Sequence, residues 1–229
     1  MNGTFMYASE IKSLLRHPDF VKELNAEALK PYMTFQYPAI GETFFKGVYK
    51  LPEGHYFTYR DGKMDIHRYY DEDFREGKQK LGELVNSIDQ TVCDSVKAHQ
   101  IADVEVGSFL SSGVDSSYVA AVARPQHTYS IGFGKGTYNE SQQAGELAEL
   151  LKLNNTAESL TDEEAFAAFP RIQWHLDEPD SNPSCVPLYF LSALAAKDVK
   201  VVLSGEGATS CSPDTSTTAC TPNSSPSRW

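Results

Sequence analysis

From residue 79 to residue 203 the chain alternates short apolar runs with longer amphipathic stretches, and this alternation limits the possible folds more than any other feature. Leu81, Leu84, Val85, Ile88, Val92 and Val96 recur at three- and four-residue spacing, the pattern of one helix face that should pack on a sheet. Then come the apolar VEVGSFL, a Ser/Gly/Asp turn, the helix-like SSYVAAVA, the strand-like TYSIGF and the helical ESQQAGELAELL. Another short strand-like stretch, TDEEAFAAFPRIQWHL, a proline-rich loop, the helix-like VPLYFLSALAA and the apolar VKVVL complete the series. Strands alternating with helices predict an α/β fold with a parallel sheet, whose ligands bind outside the carboxyl ends of the strands. Three candidate site loops follow strands in this way: 111–117, 132–140 and 204–208.

The part before Asp71 reads differently. It is rich in aromatics and turns and ends in two strand-like runs joined by Asp61-Gly62, a dipeptide suited to a two-residue hairpin because both central positions need positive φ. The polar stretch DEDFREGKQ, residues 71–79, marks a domain boundary. Beyond Ala208 the text TSCSPDTSTTACTPNSSPSRW has no Val, Ile, Leu, Met or Phe, so as a tail it cannot bury enough surface to offset its ordering entropy.

Composition excludes some functions. The net charge of -11 comes with no basic run, which argues against nucleic acid and against an anionic membrane surface. Cys93, Cys185, Cys211 and Cys220 form no CxxC pair, and no stretch approaches the roughly 18 apolar residues needed to cross a bilayer. The expected setting is reducing and cytoplasmic. His67, His99, His127 and His175 lack zinc-ligand spacing. Trp174 and the pair Phe166/Phe169 fit core positions on a helix face.

The turn Ser111-Ser112-Gly113-Val114-Asp115-Ser116-Ser117 lies between an apolar strand and a helix. Backbone N–H groups at a helix N-terminus, with serine hydroxyls and a glycine that admits a close approach, make an anion site. It lacks the GK[ST] ending of a Walker loop, so Asp115 could instead hold Mg²⁺ to neutralise phosphates. The alternative is an N-capping turn in which Ser and Asp only satisfy helix N–H groups. Ser204-Gly205-Glu206-Gly207 follows VKVVL, where its glycines would let a nucleotide lie against the backbone; alone, it reads equally as a surface turn. Asp177-Glu178-Pro179 could line a substrate site or be a solvated acidic turn.

Taken together, FLSSGVDSS, SIGF, YNES, LDEP and VVLSGEGA, in this order, resemble the synthetase domain of glutamine-hydrolysing asparagine synthetases of the asparagine synthase B type. Upstream, ASEIKSLL, ETFFKGVYKLPEGHY and the DGK hairpin resemble the end of that family's glutaminase domain. The resemblance runs from Phe5 to Ala208. It implies a parallel-sheet PP-loop ATP pyrophosphatase domain (adenine nucleotide alpha hydrolase-like), preceded by the C-terminal remnant of an α+β N-terminal-nucleophile glutaminase domain. Residues 1–70 would be that remnant, 71–208 a partial synthetase domain and 209–229 a non-native tail.

The family resemblance also implies a chemistry. The β-carboxylate of aspartate attacks the α-phosphorus of ATP, giving β-aspartyl-AMP and pyrophosphate, and ammonia derived from glutamine then displaces AMP. Ser111, Ser112, Gly113, Val114, Asp115, Ser116 and Ser117 would cradle the pyrophosphate, with Asp115 on Mg²⁺. Phe109 and Leu110 would lie under the adenosine, Ile131 and Gly132 would present backbone to the adenine, and Ser204 and Gly205 would complete the pocket. Glu206 matches the glutamate implicated in forming the adenylate and handling ammonia. The resemblance leaves room for a homodimer of the intact family member. The alternatives are a PP-loop amidotransferase acting on another carboxylate and a non-catalytic nucleotide-binding remnant.

Three departures from the family pattern stand out. Ser112 takes the place where the loop more often has its first glycine. The chain starts Met1-Asn2-Gly3 where family members place a nucleophilic cysteine after the initiator, so no glutaminase activity is expected. After Ala208 the family continues Asp-Glu-Leu-Phe-Gly-Gly-Tyr. Here, inserting one G after the Ala208 codon can restore Asp-Glu-Leu-Phe-x-Gly-Tyr, so the tail is expected to be a frameshift product and the truncated chain inactive alone.

Overall fold

The computed structural model describes residues 4–37, 39–71, 79–133 and 140–206; most of the 132–140 loop, Gly207, Ala208 and the Ser/Thr/Pro-rich tail lie outside them. The chain divides into two compact units, one of residues 1–78 with 168–185, the other of residues 79–167 with 186–229. Sequence reasoning placed all of 71–208 in one domain; by compactness, 168–185 groups with the first unit. No described helix is long and apolar enough to cross a membrane.

In the first unit, the short helices α1 (Ile11–Leu14) and α2 (Leu29–Phe35) precede the antiparallel strands β1 (His55–Arg60) and β2 (Lys63–Arg68). Arg60 pairs with Lys63 across the two-residue turn, where Asp61 has φ 51° and Gly62 φ 76°, as the Asp-Gly dipeptide predicts. Phe5 stacks on Tyr59 at 4.2 Å and meets Phe57 edge-on at 5.7 Å, covering one face of the hairpin.

The second unit begins with α3 (Leu81–His99) and continues through β3 (Val106–Phe109), α4 (Val114–Ala123), β4 (His127–Phe133), α5 (Glu140–Leu151) and β5 (Asn154–Leu160). Helix α6 (Asp162–Leu176) starts here and runs past Pro170 into the segment assigned to the first unit; α7 (Cys185–Ala195) and β6 (Val201–Leu203) follow. The sheet order is β5-β4-β3-β6, and every pairing is parallel. A parallel sheet needs both faces covered, and two clusters supply this. Phe109, Tyr129, Leu194, Ala195 and Val199 form one; Leu110, Ala120, Ala144 and Ala148 form the other. Because successive residues of an extended chain point to opposite faces, Phe109 and Leu110 anchor one core each.

Two packing expectations fail. Only Val96 of the apolar face of α3 is buried, while Leu81, Leu84, Val85 and Ile88 are exposed, so the N-terminal half of that face is left uncovered among the described residues. Phe166, Phe169 and Trp174 are also exposed and not core. Their helix periodicity is real; among the described residues nothing covers that face.

Candidate functional site

Strand order, more than any single motif, points to where a ligand would be expected. The chain moves outward from β3 to β4 and β5, then returns to the opposite side of β3 as β6. At such a reversal the general rule for open α/β sheets expects a ligand beyond the carboxyl ends of the two adjacent strands. The loops concerned are 110–113, after β3, and 204–206, after β6.

The first loop is shaped from within. Ser116 Oγ lies 2.7 Å from Ser111 Oγ and accepts from Ser111 N at 3.2 Å, and Ser111 Oγ accepts from Gly113 N at 3.1 Å. Ser116 and Ser117 each direct a hydroxyl to the Gly113 carbonyl, at 3.2 and 2.7 Å. Three of the four serines therefore hold the turn together, and Ser112 remains exposed. Gly113 is the N-cap of α4 and no side chain caps the helix, so the reading of this motif as an ordinary Ser/Asp capping turn does not describe it. The donors left for an anion are backbone N–H groups of the first turn, backed by the helix dipole. Tyr118, one turn further on, donates to Asp89 of α3, and that carboxylate pushes its phenol up to about 12.

The second loop touches the first. A Cβ built on Gly205 would stand 2.6 Å from Ser116 N, 2.7 Å from the Asp115 carbonyl carbon and 2.9 Å from Ser116 Cα, all backbone atoms. Only glycine permits this approach. Glu206 N donates to Ser204 Oγ at 3.3 Å, bending the loop so that exposed Glu206 follows the contact point directly. Half-buried Asp115, in the first turn of α4, and Glu206 meet no Lys, Arg or His among the described residues. Two carboxylates without a cationic partner among the described residues thus stand beside a turn that contains no lysine.

The remaining predicted residues divide. Phe109 and Leu110 are buried in the two cores, so their side chains serve packing and only their backbone reaches the site. Val114 is 81% exposed at the start of α4. Tyr129 O accepts from Leu110 N at 2.8 Å, and Ile131, two residues on, turns its backbone groups to the same edge beyond the last residue of β3. Gly132 is buried in register with Ser159.

In the first unit the acidic LDEP stretch is not a solvated turn. Asp177, held at φ 65° just past α6, accepts from Ile11 N at 2.6 Å and Lys12 N at 3.2 Å and pairs with Lys12 Nζ at 2.8 Å. It caps α1 from 166 residues away and helps hold the Lys12 ammonium above its usual range. Glu178, 9% exposed, accepts from Phe44 N at 3.1 Å and pairs with Lys50. A cavity of about 680 Å³ beside them is lined by Phe5, Tyr7, Phe20, Phe57 and Ile66, and its Asp177, Glu178 and Lys50 are already engaged. Sequence reasoning missed this clamp because its partners are remote in sequence. Nor did it assign roles to Ser108 and Ser130, hydroxyl residues inside otherwise apolar strands, which was the available signal.

Comparison with known proteins divides the chain in sequence near residues 70–87, with 168–185 inside the second match. The asparagine synthase family model matches residues 87–210, and the glutamine amidotransferase domain model matches residues 1–70. The chain is 38% identical over 213 residues to asparagine synthetase [glutamine-hydrolyzing] 1 of Bacillus subtilis, covering 91% of this chain and 34% of that protein. It is 37% identical over 223 residues to a putative asparagine synthetase [glutamine-hydrolyzing] of Mycobacterium tuberculosis, covering 90% and 33%. The chain thus spans about a third of the length of the curated relatives it matches. Among solved structures, it is similar to the NMN synthetase of Francisella tularensis, with a TM-score of 0.36 and 21% identity over 55% of this chain and 54% of that one. A glutamine-dependent NAD+ synthetase from Acinetobacter baumannii bound to ADP gives a TM-score of 0.39 and 13% identity over 64% and 29%.

Proposed function

This chain belongs to the asparagine synthase family, and we propose that its second unit binds ATP with Mg²⁺ at the β3–β6 crevice as the nucleotide site of an ATP-dependent asparagine synthetase. The observation that carries the reading is the contact of Gly205 with the backbone of Asp115 and Ser116, which joins two loops at the switch point of a parallel sheet. The N–H groups at the start of α4 receive the leaving pyrophosphate. Ser204 and Gly205, with the backbone of Ile131 and Gly132, bound the nucleoside.

The donor set suits Mg²⁺, which is held through one or two carboxylates plus phosphate oxygens and water. Asp115 would hold it, and the ion would supply the charge neutralisation that a Walker lysine gives elsewhere. Among the described residues no three His, Cys, Asp or Glu side chains gather, so this is not an all-protein metal cage.

An oxygen of the aspartate β-carboxylate attacks the α-phosphorus, the bond from that phosphorus to the pyrophosphate oxygen breaks, and β-aspartyl-AMP forms. Ammonia then attacks the acyl carbon, AMP leaves with the bonding pair, and the nitrogen gives up a proton. Glu206, exposed and without a cationic partner among the described residues, would help with that proton. The amidotransferase match over residues 1–70 supports glutamine as the ammonia source in the whole protein.

The test is an equilibrium titration of the chain with MgATP, followed by aspartate-dependent exchange of labelled pyrophosphate into ATP. Binding at micromolar MgATP that weakens about tenfold in Asp115→Asn and becomes Mg²⁺-independent there supports the assignment. Exchange driven by another carboxylate and not by aspartate would keep the nucleotide site and replace the acceptor. No binding of MgATP by the wild-type chain would remove the reading.

A further inference from the structure

Two buried serines reach backbone carbonyls at the roots of the two site loops. Ser130, 1% exposed, places Oγ 2.8 Å from Leu110 O, the carbonyl directly before Ser111. Ser108, 0% exposed, places Oγ 3.3 Å from Leu203 O, the carbonyl directly before Ser204, and 3.1 Å from Phe109 O. Backbone pairing between β3 and β4 ends with Leu110 N to Tyr129 O at 2.8 Å, and the β3–β6 register ends with Ser108 opposite Leu203. Each hydroxyl therefore adds a rung where the ladder stops and its loop departs.

Apolar side chains of similar size would fill these positions at least as well if packing were the only demand, since a buried hydroxyl must be satisfied or it destabilises. Both hydroxyls are satisfied, and by loop-proximal carbonyls. Ser130 Oγ also lies 3.0 Å from Asn155 Oδ1, as does Thr128 Oγ1, and Thr128 Oγ1 lies 3.2 Å from Asn154 O. Each hydroxyl has one proton and two acceptors in reach, so the count closes in the Asn155 rotamer that turns its amide NH₂ toward both. Thr128 then serves Asn154, far from the loops, and Ser130 serves Leu110.

We infer that Ser130 and Ser108 are positioning residues that set the two nucleotide loops against each other, Ser130 fixing the entry to 111–117 and Ser108 the entry to 204–206. The inference rests on the nucleotide reading of this site. It assigns specificity as well: Ser130 acts on the phosphate-binding turn, so its removal should weaken the phosphate-dependent part of binding and leave the adenosine part intact. Thr128, 0% exposed and in the same polar network without a loop carbonyl, is the matched control.

The experiment measures MgATP and adenosine affinities of the full 229-residue chain and of Ser130→Ala, Ser108→Ala and Thr128→Val, with denaturation midpoints for each. The expected result is about a tenfold loss of MgATP affinity in Ser130→Ala, unchanged adenosine affinity, and MgATP affinity within about twofold of wild type in Thr128→Val. Ser108→Ala should weaken both ligands, because the 204–206 loop bounds the nucleoside. Equal binding by Ser130→Ala and wild type, or an equal loss in Thr128→Val, overturns the positioning role while leaving the site. A wild-type chain that binds no MgATP overturns the site and the inference together. Should Ser130→Ala not fold, Ser130→Cys, a near-isostere with a weaker donor, is read the same way against Thr128→Val.

Discussion

Two pairs of carboxylates in this chain are used in opposite ways. Asp177 and Glu178, in the first unit, bind Lys12 and Lys50 and accept from Ile11, Lys12 and Phe44 N–H groups. Asp115 and Glu206, in the second, have no cation among the described residues and stand by a turn in which three of four serine hydroxyls are tied up in its own geometry. A charge already paired and hydrogen-bonded is part of the architecture. One left unpaired at the carboxyl end of a parallel sheet remains available to a ligand or its metal ion.

The largest effect expected from breaking this contrast is at Gly205. In Gly205→Ala the added methyl meets Ser116 N, Asp115 C and Ser116 Cα, none of which is the end of a flexible side chain. Overpacking of that kind costs about 1–3 kcal/mol, and here it is relieved by parting the two loops. MgATP affinity should fall by more than about tenfold, with a drop in denaturation midpoint of the second unit; a variant that binds as wild type would show that the loops do not act as one site.

Glu178→Ala should do the reverse. It leaves the N–H of buried Phe44 without its acceptor and Lys50 without its partner, a loss of about 1–3 kcal/mol to the first unit. MgATP affinity should stay within about twofold, because among the described residues no bond joins Glu178 to the loops after β3 and β6. A parallel loss of binding in Glu178→Ala and Gly205→Ala would end the distinction between the two pairs.

The difference also explains what could be read in the sequence. The strand–helix alternation, the Asp61-Gly62 hairpin and the loops after VEVGSFL and VKVVL depend on local periodicity and turn chemistry, and all were legible. Which strands become neighbours is a matter of topology. The placement of β6 beside β3, which makes Gly205 meet Ser116, was accessible only through the resemblance to a family. Asp177 and Glu178 were misread because an acidic loop before proline looks solvated until Lys12 and Lys50, 165 and 128 residues earlier, fold against it. Trp174, Phe166 and Phe169 failed for another reason: helix periodicity marks a face that wants cover, and it does not say that cover is present in this stretch of chain.

The smallest effects expected are titrations, and their signs separate the two units again. Glu164 accepts from Thr161 N and from Thr161 Oγ1, both at 2.9 Å, while Thr161 Oγ1 accepts from Glu164 N at 3.2 Å, a capping box at the start of α6. The hydrogen bond from the Thr161 backbone, followed by that from its hydroxyl, holds the Glu164 carboxyl below its usual 4.5. A depressed carboxylate contributes stability that is complete above the unfolded value and is lost as pH falls through the folded one. Lys12 is opposite: bonded chiefly to Asp177, its ammonium lies above the usual 10.5, so its contribution is complete below that value and is lost as pH rises through the folded one. Thermal midpoints of wild type and Glu164→Gln should therefore differ at neutral pH and converge in acid, whereas those of wild type and Lys12→Met should differ at neutral pH and converge as the lysine is deprotonated in alkali. Equal midpoints of wild type and Lys12→Met at neutral pH would mean that the Asp177 clamp is held by its backbone donors and not by the lysine, and that the first unit's carboxylates are less fully committed than the geometry implies.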